Sequence, residues 1–132
     1  MKWTEVEIRT DARVQLMDVT RYAAEELAKC KVRSGLCHLY VPHTTAGVTI
    51  NENADPDVAT DLIAGLEKIV PVAGGYRHAE GNSDAHIKAS LVGFSCAVPV
   101  VDGRLALGTW QAIYFCEFDG PRTRRMLIGV MG

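Results

Sequence analysis

The sequence lacks long apolar runs and long basic runs. Its longest apolar stretches, residues 89–101 and 112–118, are interrupted by Ser, Gly, Pro or Glu, and they fall short of the roughly 20 residues that span a bilayer. No basic run exceeds Arg124-Arg125, and 14 Lys+Arg against 16 Asp+Glu give a formal net charge of −2. We therefore expect no membrane-spanning segment and no generic nucleic-acid binding, which requires a broad positive field.

Proline and cysteine are also scarce. Five prolines in 132 residues argue against long disorder or collagen-like repeats. No secretory signal is visible at the N-terminus, so we expect a cytoplasmic protein whose cysteines stay reduced. The length predicts one domain over residues 1–132. The four cysteines form no CxxC pair: Cys30, Cys37, Cys96 and Cys116.

Hydrophobic periodicity in the first half predicts both strands and a helix. Alternating apolar residues predict an N-terminal β-hairpin that turns at Thr10-Asp11. Three- and four-residue spacing then predicts a helix from a Thr20 cap to about Val32. Two further strands, 36–41 and 46–50, are separated by irregular backbone that includes Pro42, which cannot donate to a central ladder.

The second half combines helices with a run of strands. Asp55-Pro56-Asp57 is a strong helix start, and a second helix is predicted to begin after Asn82 or Ser83. Together these elements predict an α+β fold with a largely antiparallel β-sheet and two to three helices. The remaining predicted elements are a polar loop at 71–83, strands at 95–101, 110–118 and 122–130, and turns at Asp102-Gly103 and Asp119-Gly120-Pro121.

The first polar cluster lies at the two ends of one predicted strand. His43-Thr44-Thr45 precedes this strand and Asn51-Glu52-Asn53 ends it. The ends of such a strand are roughly 15–20 Å apart, so the two groups need not share a site within one chain. Local turn hydrogen bonding by Thr and Asn is the alternative interpretation.

The second cluster is the segment from Tyr76 to His86, which is the densest set of titratable groups in the chain. His78 in the loop and His86 in the first helical turn can face one another and ligate a metal, with His43 or a carboxylate as a third ligand. The predicted helix start also offers free N–H groups to a phosphate. A solvated loop with an Asn or Ser cap is the alternative.

Two further groups have structural and functional interpretations. Trp110 and Gln111 could stack on and hydrogen-bond a planar ring, although a Trp at a strand start is more often part of the core. Arg122, Arg124 and Arg125 follow the Asp119 turn. They are interpreted first as the solvated edge of a hairpin and second as a phosphate-facing patch.

Several motifs in the same order resemble the YjbQ-like family over nearly the whole chain. The resemblance implies a small α+β fold that assembles as a homotrimer, with polar residues near subunit contacts. It also implies secondary thiamine-phosphate synthase activity, which joins hydroxymethylpyrimidine diphosphate to thiazole phosphate and releases pyrophosphate. The motifs are His43-Thr44-Thr45-Ala46, Asn51-Glu52, Arg77-His78-x-Glu80-Gly81-Asn82, Ala85-His86-Ile87-Lys88, Ser95 through Gly108-Thr109-Trp110-Gln111, and the DGPR segment from Asp119 to Arg122.

Carried onto matching positions, the resemblance suggests a working hypothesis for the site of a phosphorylated small-molecule substrate. A metal or phosphate site would use the three histidines, and Glu80 or Glu52 would accept a proton. Trp110 and Gln111 would orient the pyrimidine ring. The full set is His43, His78 and His86 as metal ligands, Glu80, Glu52, His78 and His86 as catalytic groups, and Thr44, Thr45, Asn51, Asn82, Trp110 and Gln111 as substrate contacts.

The type of metal separates this hypothesis from its alternatives. A divalent ion, either Zn²⁺-like or Mg²⁺, is expected if the histidines hold a metal. The sequence has no Asp-rich diphosphate motif for Mg²⁺, whereas imidazoles prefer Zn²⁺, Ni²⁺ or Cu²⁺, which suit activated water. A metal-dependent hydrolase of a phosphorylated or cyclic metabolite is therefore the second hypothesis. A non-catalytic metal- or metabolite-binding trimer is the third.

Overall fold

Two antiparallel β-sheets face each other in the computed structural model, which describes residues 1–132. The five-stranded sheet has the order β1-β8-β3-β5-β6, and the three-stranded sheet has the order β2-β7-β4. The elements are β1 (Trp3–Arg9), β2 (Gln15–Asp18), α1 (Thr20–Cys30), β3 (Ser34–Tyr40), β4 (Ala46–Glu52), α2 (Pro56–Ile69), α3 (Ser83–Val92), β5 (Ser95–Val101), β6 (Arg104–Leu105), β7 (Gln111–Glu117) and β8 (Thr123–Met131). The predicted α+β class with antiparallel strands is confirmed.

The main core lies between the two sheets and is closed by α1. Alternate residues of β3, such as Cys37 and Leu39, face this core, while their neighbours His38 and Tyr40 are more exposed. Such alternation is typical of a strand that is buried on one face. Apolar burial between the two sheets therefore fixes how they stack.

Strand β7 differs because both of its faces are buried. Ile113 and Phe115 belong to the core between the sheets. Tyr114 and Cys116 belong to a second cluster, which includes Ala85 of α3. The three-stranded sheet is thus covered by the main core on one side and by α3 on the other.

The helix starts follow local capping chemistry in one case and depart from it in another. As predicted, Asp55 caps α2, where its side chain accepts a hydrogen bond from the Asp57 N–H at 2.9 Å. The prediction of Thr20 as the cap of α1 is wrong, because the helix begins at Thr20 with Val19 before it. The Thr20 hydroxyl instead accepts from the Ile113 N–H at 2.9 Å and joins α1 to β7.

The Asp102-Gly103 turn is confirmed as a hairpin. It joins β5 to β6, with Val101 paired to Arg104. Asp102 has φ 51° and Gly103 has φ 76°, the left-handed pair that a tight two-residue hairpin requires. Here the local sequence alone determines the connection.

The hairpins predicted at Thr10-Asp11 and at the Asp119-Gly120-Pro121 turn are wrong. Strand β1 pairs with β8, whereas β2 pairs with β7, so residues 10–14 carry the chain from one sheet to the other. Strands β7 and β8 also lie in different sheets, and residues 118–122 make a second crossing. The segment 41–45 between β3 and β4 makes a third.

None of the three helices combines the length and apolar character needed to cross a membrane. All four cysteines are unpaired in the structure.

Candidate functional site

Three of the crossings between the sheets, at residues 10–14, 41–45 and 118–122, are joined by one buried ion pair. Arg124 of β8 is 4% exposed and Glu117 of β7 is fully buried. The Arg124 guanidinium donates from Nε to Glu117 Oε1 at 2.8 Å and from Nη2 to the other carboxylate oxygen. Nη2 also donates to the Thr45 hydroxyl at 2.8 Å, and the Thr10 hydroxyl donates to Glu117 at 2.8 Å. One charge pair therefore links all three crossing segments.

The surroundings of Glu117 favour its charged form. Burial alone raises the pKa of this carboxyl. Hydrogen bonds from Arg124, from the Asp119 N–H and from Thr10 outweigh burial, so the pKa of Glu117 lies below its ordinary value. The pair is therefore ionised at neutral pH.

An open cavity of about 380 Å³ lies beside this ion pair. None of its lining residues is hydrophobic. Arg122 enters from the last crossing, where its Nη2 donates to Asp119 at 3.0 Å. The Nη1 group of Arg124 makes no hydrogen bond within the chain and is available to a ligand. The lining residues are Pro42, His43, Thr44, Thr45, Glu80, Asn82, His86, Asp119, Arg122 and Arg124.

His43 enters the cavity as a neutral imidazole. Its Nε2 accepts a hydrogen bond from the Arg125 N–H at 2.9 Å, so the ring proton lies on Nδ1. Burial lowers the pKa of His43, and the positive charges of Arg124 and Arg125 lower it further. His43 can therefore donate from Nδ1 to a ligand, while its Nε2 is already occupied.

The start of α3 forms another wall of the cavity. The Asn82 side chain donates to Asp119 at 2.9 Å, which ties the helix start to the last crossing. The side-chain oxygen of Asn82 is buried and has no hydrogen-bond partner. His86, in the first turn of α3, also lines the cavity.

A buried charge network holds α3 in place behind the cavity. Asp84 and Lys88, one turn apart, are both fully buried or nearly so, and they form an ion pair at 2.9 Å. Arg13 from the first crossing bonds Asp84 at 2.9 Å, and Glu67 of α2 accepts from Lys88 at 2.6 Å. These ion pairs therefore tie α3, which carries His86, to the first crossing and to α2.

The 71–82 loop brings the remaining candidates to the cavity mouth. The rings of His78 and His86 meet edge to face, with centroids 5.5 Å apart. His78 Nε2 lies 3.6 Å from a Glu80 carboxylate oxygen. The predicted proximity of His78 and His86 is confirmed.

The structure places the other predicted site residues elsewhere. Asn51 and Glu52 lie at the far end of β4 from His43, and Glu52 pairs with Gln111 at the start of β7. Trp110 is 61% exposed and does not line the cavity. Within one chain, therefore, Trp110 and Gln111 are not brought to the histidines, because β4 separates them. Their role in orienting a ring stays a prediction that depends on a neighbouring subunit.

The donor set does not fit the three-histidine metal centre of the working hypothesis. No group of three or more His, Cys, Asp or Glu side chains is arranged to hold a metal ion. His43 Nε2 is engaged by the Arg125 N–H, and two guanidinium groups lie near that ring. A cation would be repelled at this position, so we derive no step through a metal.

The basic segment 122–125 had two interpretations, a solvated hairpin edge and a phosphate-facing patch. The geometry agrees with the second. Arg122 and Arg124 line the cavity instead of forming the edge of a hairpin. Sequence analysis gave no role to Glu117, and it included Asp84 in the second cluster without assigning it a role. The available signal was a charged residue on a strand or helix face that is otherwise apolar, since such a charge requires a buried partner.

The fold and cavity define a class of protein: a two-sheet α+β domain whose sheet crossings surround a polar pocket of arginine, histidine and amide groups. The chain belongs to the YjbQ family, since the family described as "UPF0047 protein YjbQ-like" matches residues 4–132. The resemblance identified from the motifs is thereby confirmed.

Relatives agree over nearly their full lengths. The chain is 50% identical to UPF0047 protein MJ1081 of Methanocaldococcus jannaschii, covering 96% of this chain and 91% of the relative. It is 51% identical to UPF0047 protein YugU of Bacillus subtilis, covering 96% and 97%. A crystal structure of an uncharacterized YjbQ/UPF0047 protein from Clostridium acetobutylicum superposes with a TM-score of 0.96 at 47% identity, over 97% of this chain and 99% of that one.

Proposed function

We propose that the cavity binds a phosphorylated small molecule and that the chain is a transferase of the secondary thiamine-phosphate synthase type. The single observation that supports this most strongly is that Arg122, Arg124 and the neutral His43 line one polar cavity. Planar guanidinium groups suit phosphate oxygens, to which they can donate two parallel hydrogen bonds.

The hydrogen-bond arrangement supports anion recognition despite the nearby carboxylates. Glu117 and Asp119 each accept hydrogen bonds from an arginine and hold its guanidinium in position. Each arginine keeps N–H groups that no protein acceptor uses. The N-terminus of α3 adds the positive end of a helix dipole beside Asn82.

The proposed reaction joins hydroxymethylpyrimidine diphosphate to thiazole phosphate. The carbon–oxygen bond to pyrophosphate breaks, and its electron pair leaves with the pyrophosphate while a carbon–nitrogen bond forms. Negative charge grows on the departing oxygen, and preformed donors stabilise such charge. Arg122 and Arg124 take that role in this proposal.

Glu80 is the cavity carboxylate that we assign to stabilise the positive charge forming on the thiazole nitrogen, because this nitrogen has no hydrogen that a base could remove. Asp119 is engaged by Arg122 and Asn82, whereas Glu80 has only His78, at 3.6 Å. Its side chain is 74% exposed at the cavity mouth, within reach of a bound substrate. A carboxylate at such a position can face the cation as it forms.

A homotrimer in the cytoplasm completes the proposal. Trp110 is 61% exposed and no residue of α2 is buried, although that helix carries an apolar stripe. A neighbouring subunit would cover such surface and could bring Asn51, Glu52 and Gln111 near another chain's cavity. The cytoplasmic location is carried over from the sequence, whose four cysteines form no CxxC pair. Light scattering after size exclusion tests the trimer, and a monomeric mass contradicts it.

The binding step is tested by calorimetric titration of the protein with inorganic pyrophosphate. We expect saturable binding that Arg122→Gln weakens at least about ten-fold, since a charge-assisted bond to phosphate is lost. Arg104→Gln is the matched control, because Arg104 is an exposed arginine outside the cavity. No binding by the wild type, or equal loss in both variants, overturns the anion site.

The reaction is tested by supplying both proposed substrates and following products by mass spectrometry. We expect thiamine phosphate and pyrophosphate in equal amounts, with Glu80→Gln reducing turnover while pyrophosphate affinity is retained. Hydrolysis of a single substrate would instead indicate a hydrolase, and binding without turnover a non-catalytic protein. Either result overturns the synthase assignment.

A further inference from the structure

A second cleft opens on the other side of His86. It has a volume of about 430 Å³ and is lined by Tyr76, Arg77, His78, Ser83, His86 and Ile87. His86 lines both this cleft and the polar cavity. The two spaces therefore share a wall at His86.

The walls of the second cleft are aromatic and apolar, unlike those of the cavity. Tyr76, His78 and His86 contribute rings, and Ile87 contributes an aliphatic side chain that is 38% exposed. Because the rings of His78 and His86 meet edge to face, their planes are nearly perpendicular. Such surfaces favour another planar ring, which can stack or meet them edge to face.

The Tyr76 ring is held in place before any ligand arrives. Its hydroxyl donates to the Pro71 carbonyl at 2.6 Å. A side chain at Gly74 would overlap the same ring, so the tyrosine lies closely against a residue that has none. A fixed aromatic wall costs little conformational entropy on binding.

We propose that this cleft, named here the ring cleft, binds the planar aromatic part of the substrate while its phosphate lies in the polar cavity. This rests on the proposed function, and it assigns the aromatic ring of the phosphorylated substrate to a defined cleft. His86 lies between the ring cleft and the polar cavity, because it lines both. Tyr76 and Ile87 are then specificity-determining residues for the ring.

The test compares three probes by calorimetry: inorganic phosphate, phenyl phosphate and n-butyl phosphate. We expect phenyl phosphate to bind about ten-fold tighter than inorganic phosphate, because aromatic contact adds to the burial of the ring. Butyl phosphate is expected to gain less than phenyl phosphate. Equal binding of phenyl phosphate and inorganic phosphate overturns the ring cleft and leaves the anion site standing. Failure of all three probes to bind overturns both proposals.

Two substitutions and a control locate the effect. In Tyr76→Ala and Ile87→Ser, we expect the affinity ratio of phenyl phosphate to inorganic phosphate to fall toward one. Leu91→Ser is the control, since Leu91 is 59% exposed on the same helix but outside the cleft. Ile87→Ser keeps the test decisive if the 71–82 loop changes in Tyr76→Ala. A ratio that both variants leave at the wild-type value overturns the proposal.

Discussion

Arg124 donates from Nε to Glu117 Oε1 at 2.8 Å, and it does so where the chain passes between its two sheets. The pair also bonds Thr10 and Thr45, which lie in two other crossings. It therefore stabilises three connections at once and places one cation at the cavity wall.

Removing one partner of this pair should destabilise the fold strongly. Arg124→Met leaves the Glu117 carboxylate buried without its main cation, and we expect a loss of about 3–5 kcal/mol in the free energy of unfolding. Arg125→Met is the control, because Arg125 is exposed and its ion pair with Glu5 is half-exposed; its cost should be under about 1 kcal/mol. Urea denaturation measures both, and similar losses would contradict the buried role.

The same carboxylate predicts acid sensitivity. The pKa of Glu117 is lower in the folded state than its ordinary 4.5, so the unfolded chain binds this proton more readily. Its stabilising contribution is present above pH 4.5 and is lost as pH falls through the folded-state pKa. In denaturation between pH 7 and 3, Glu117→Gln should lose less stability than the wild type. Parallel curves would show that Glu117 does not carry the effect.

Two substitutions in the charge network behind α3 should differ in how much they lower the stability of the protein. Lys88→Met removes a buried cation that faces Asp84, and we expect a loss of about 3 kcal/mol. Glu67→Gln changes the half-exposed end of the network and should cost under about 1 kcal/mol. Thermal unfolding of both variants tests this contrast. Equal shifts in Tm would contradict the prediction that buried Lys88 contributes more to stability than half-exposed Glu67.

His43 should titrate below the ordinary histidine pKa of 6.5. The folded state disfavours its protonation through burial and through Arg124 and Arg125. Its contribution to stability is therefore present above pH 6.5 and falls as pH drops through the folded-state pKa. Nitrogen-15 NMR should find the neutral ring protonated at Nδ1, as the Arg125 N–H contact requires. An Nε2-protonated ring at pH 7 would contradict that contact.

Metal content distinguishes the cavity described here from a three-histidine centre. Untagged protein should contain much less than one transition-metal ion per chain by elemental mass spectrometry, because no three-ligand group is present. His78→Ala and His86→Ala should then leave the value unchanged. Near-stoichiometric metal that both variants lose would contradict this prediction and restore the hydrolase hypothesis.

Several elements followed from the sequence alone because their causes are local. The Asp55 cap and Pro56 define the start of α2, and Asp102-Gly103 adopts the left-handed conformations of a hairpin wherever it occurs. The strand predicted at residues 95–101 is also present, as β5. The motifs were sufficient to identify the family, and the proximity of His78 to His86 needed only one loop.

Tertiary structure decided which strands pair and what surrounds the cavity. A turn sequence is the same whether its flanking strands pair or separate into different sheets, so the crossings at 10–14 and 118–122 could not be distinguished locally from hairpins. The pairing of β7 is favoured by burial of both of its faces, which depends on contacts with residues distant in sequence. The cavity follows from it, because Arg124, Thr45 and Asn82 meet only once the two sheets and α3 have packed.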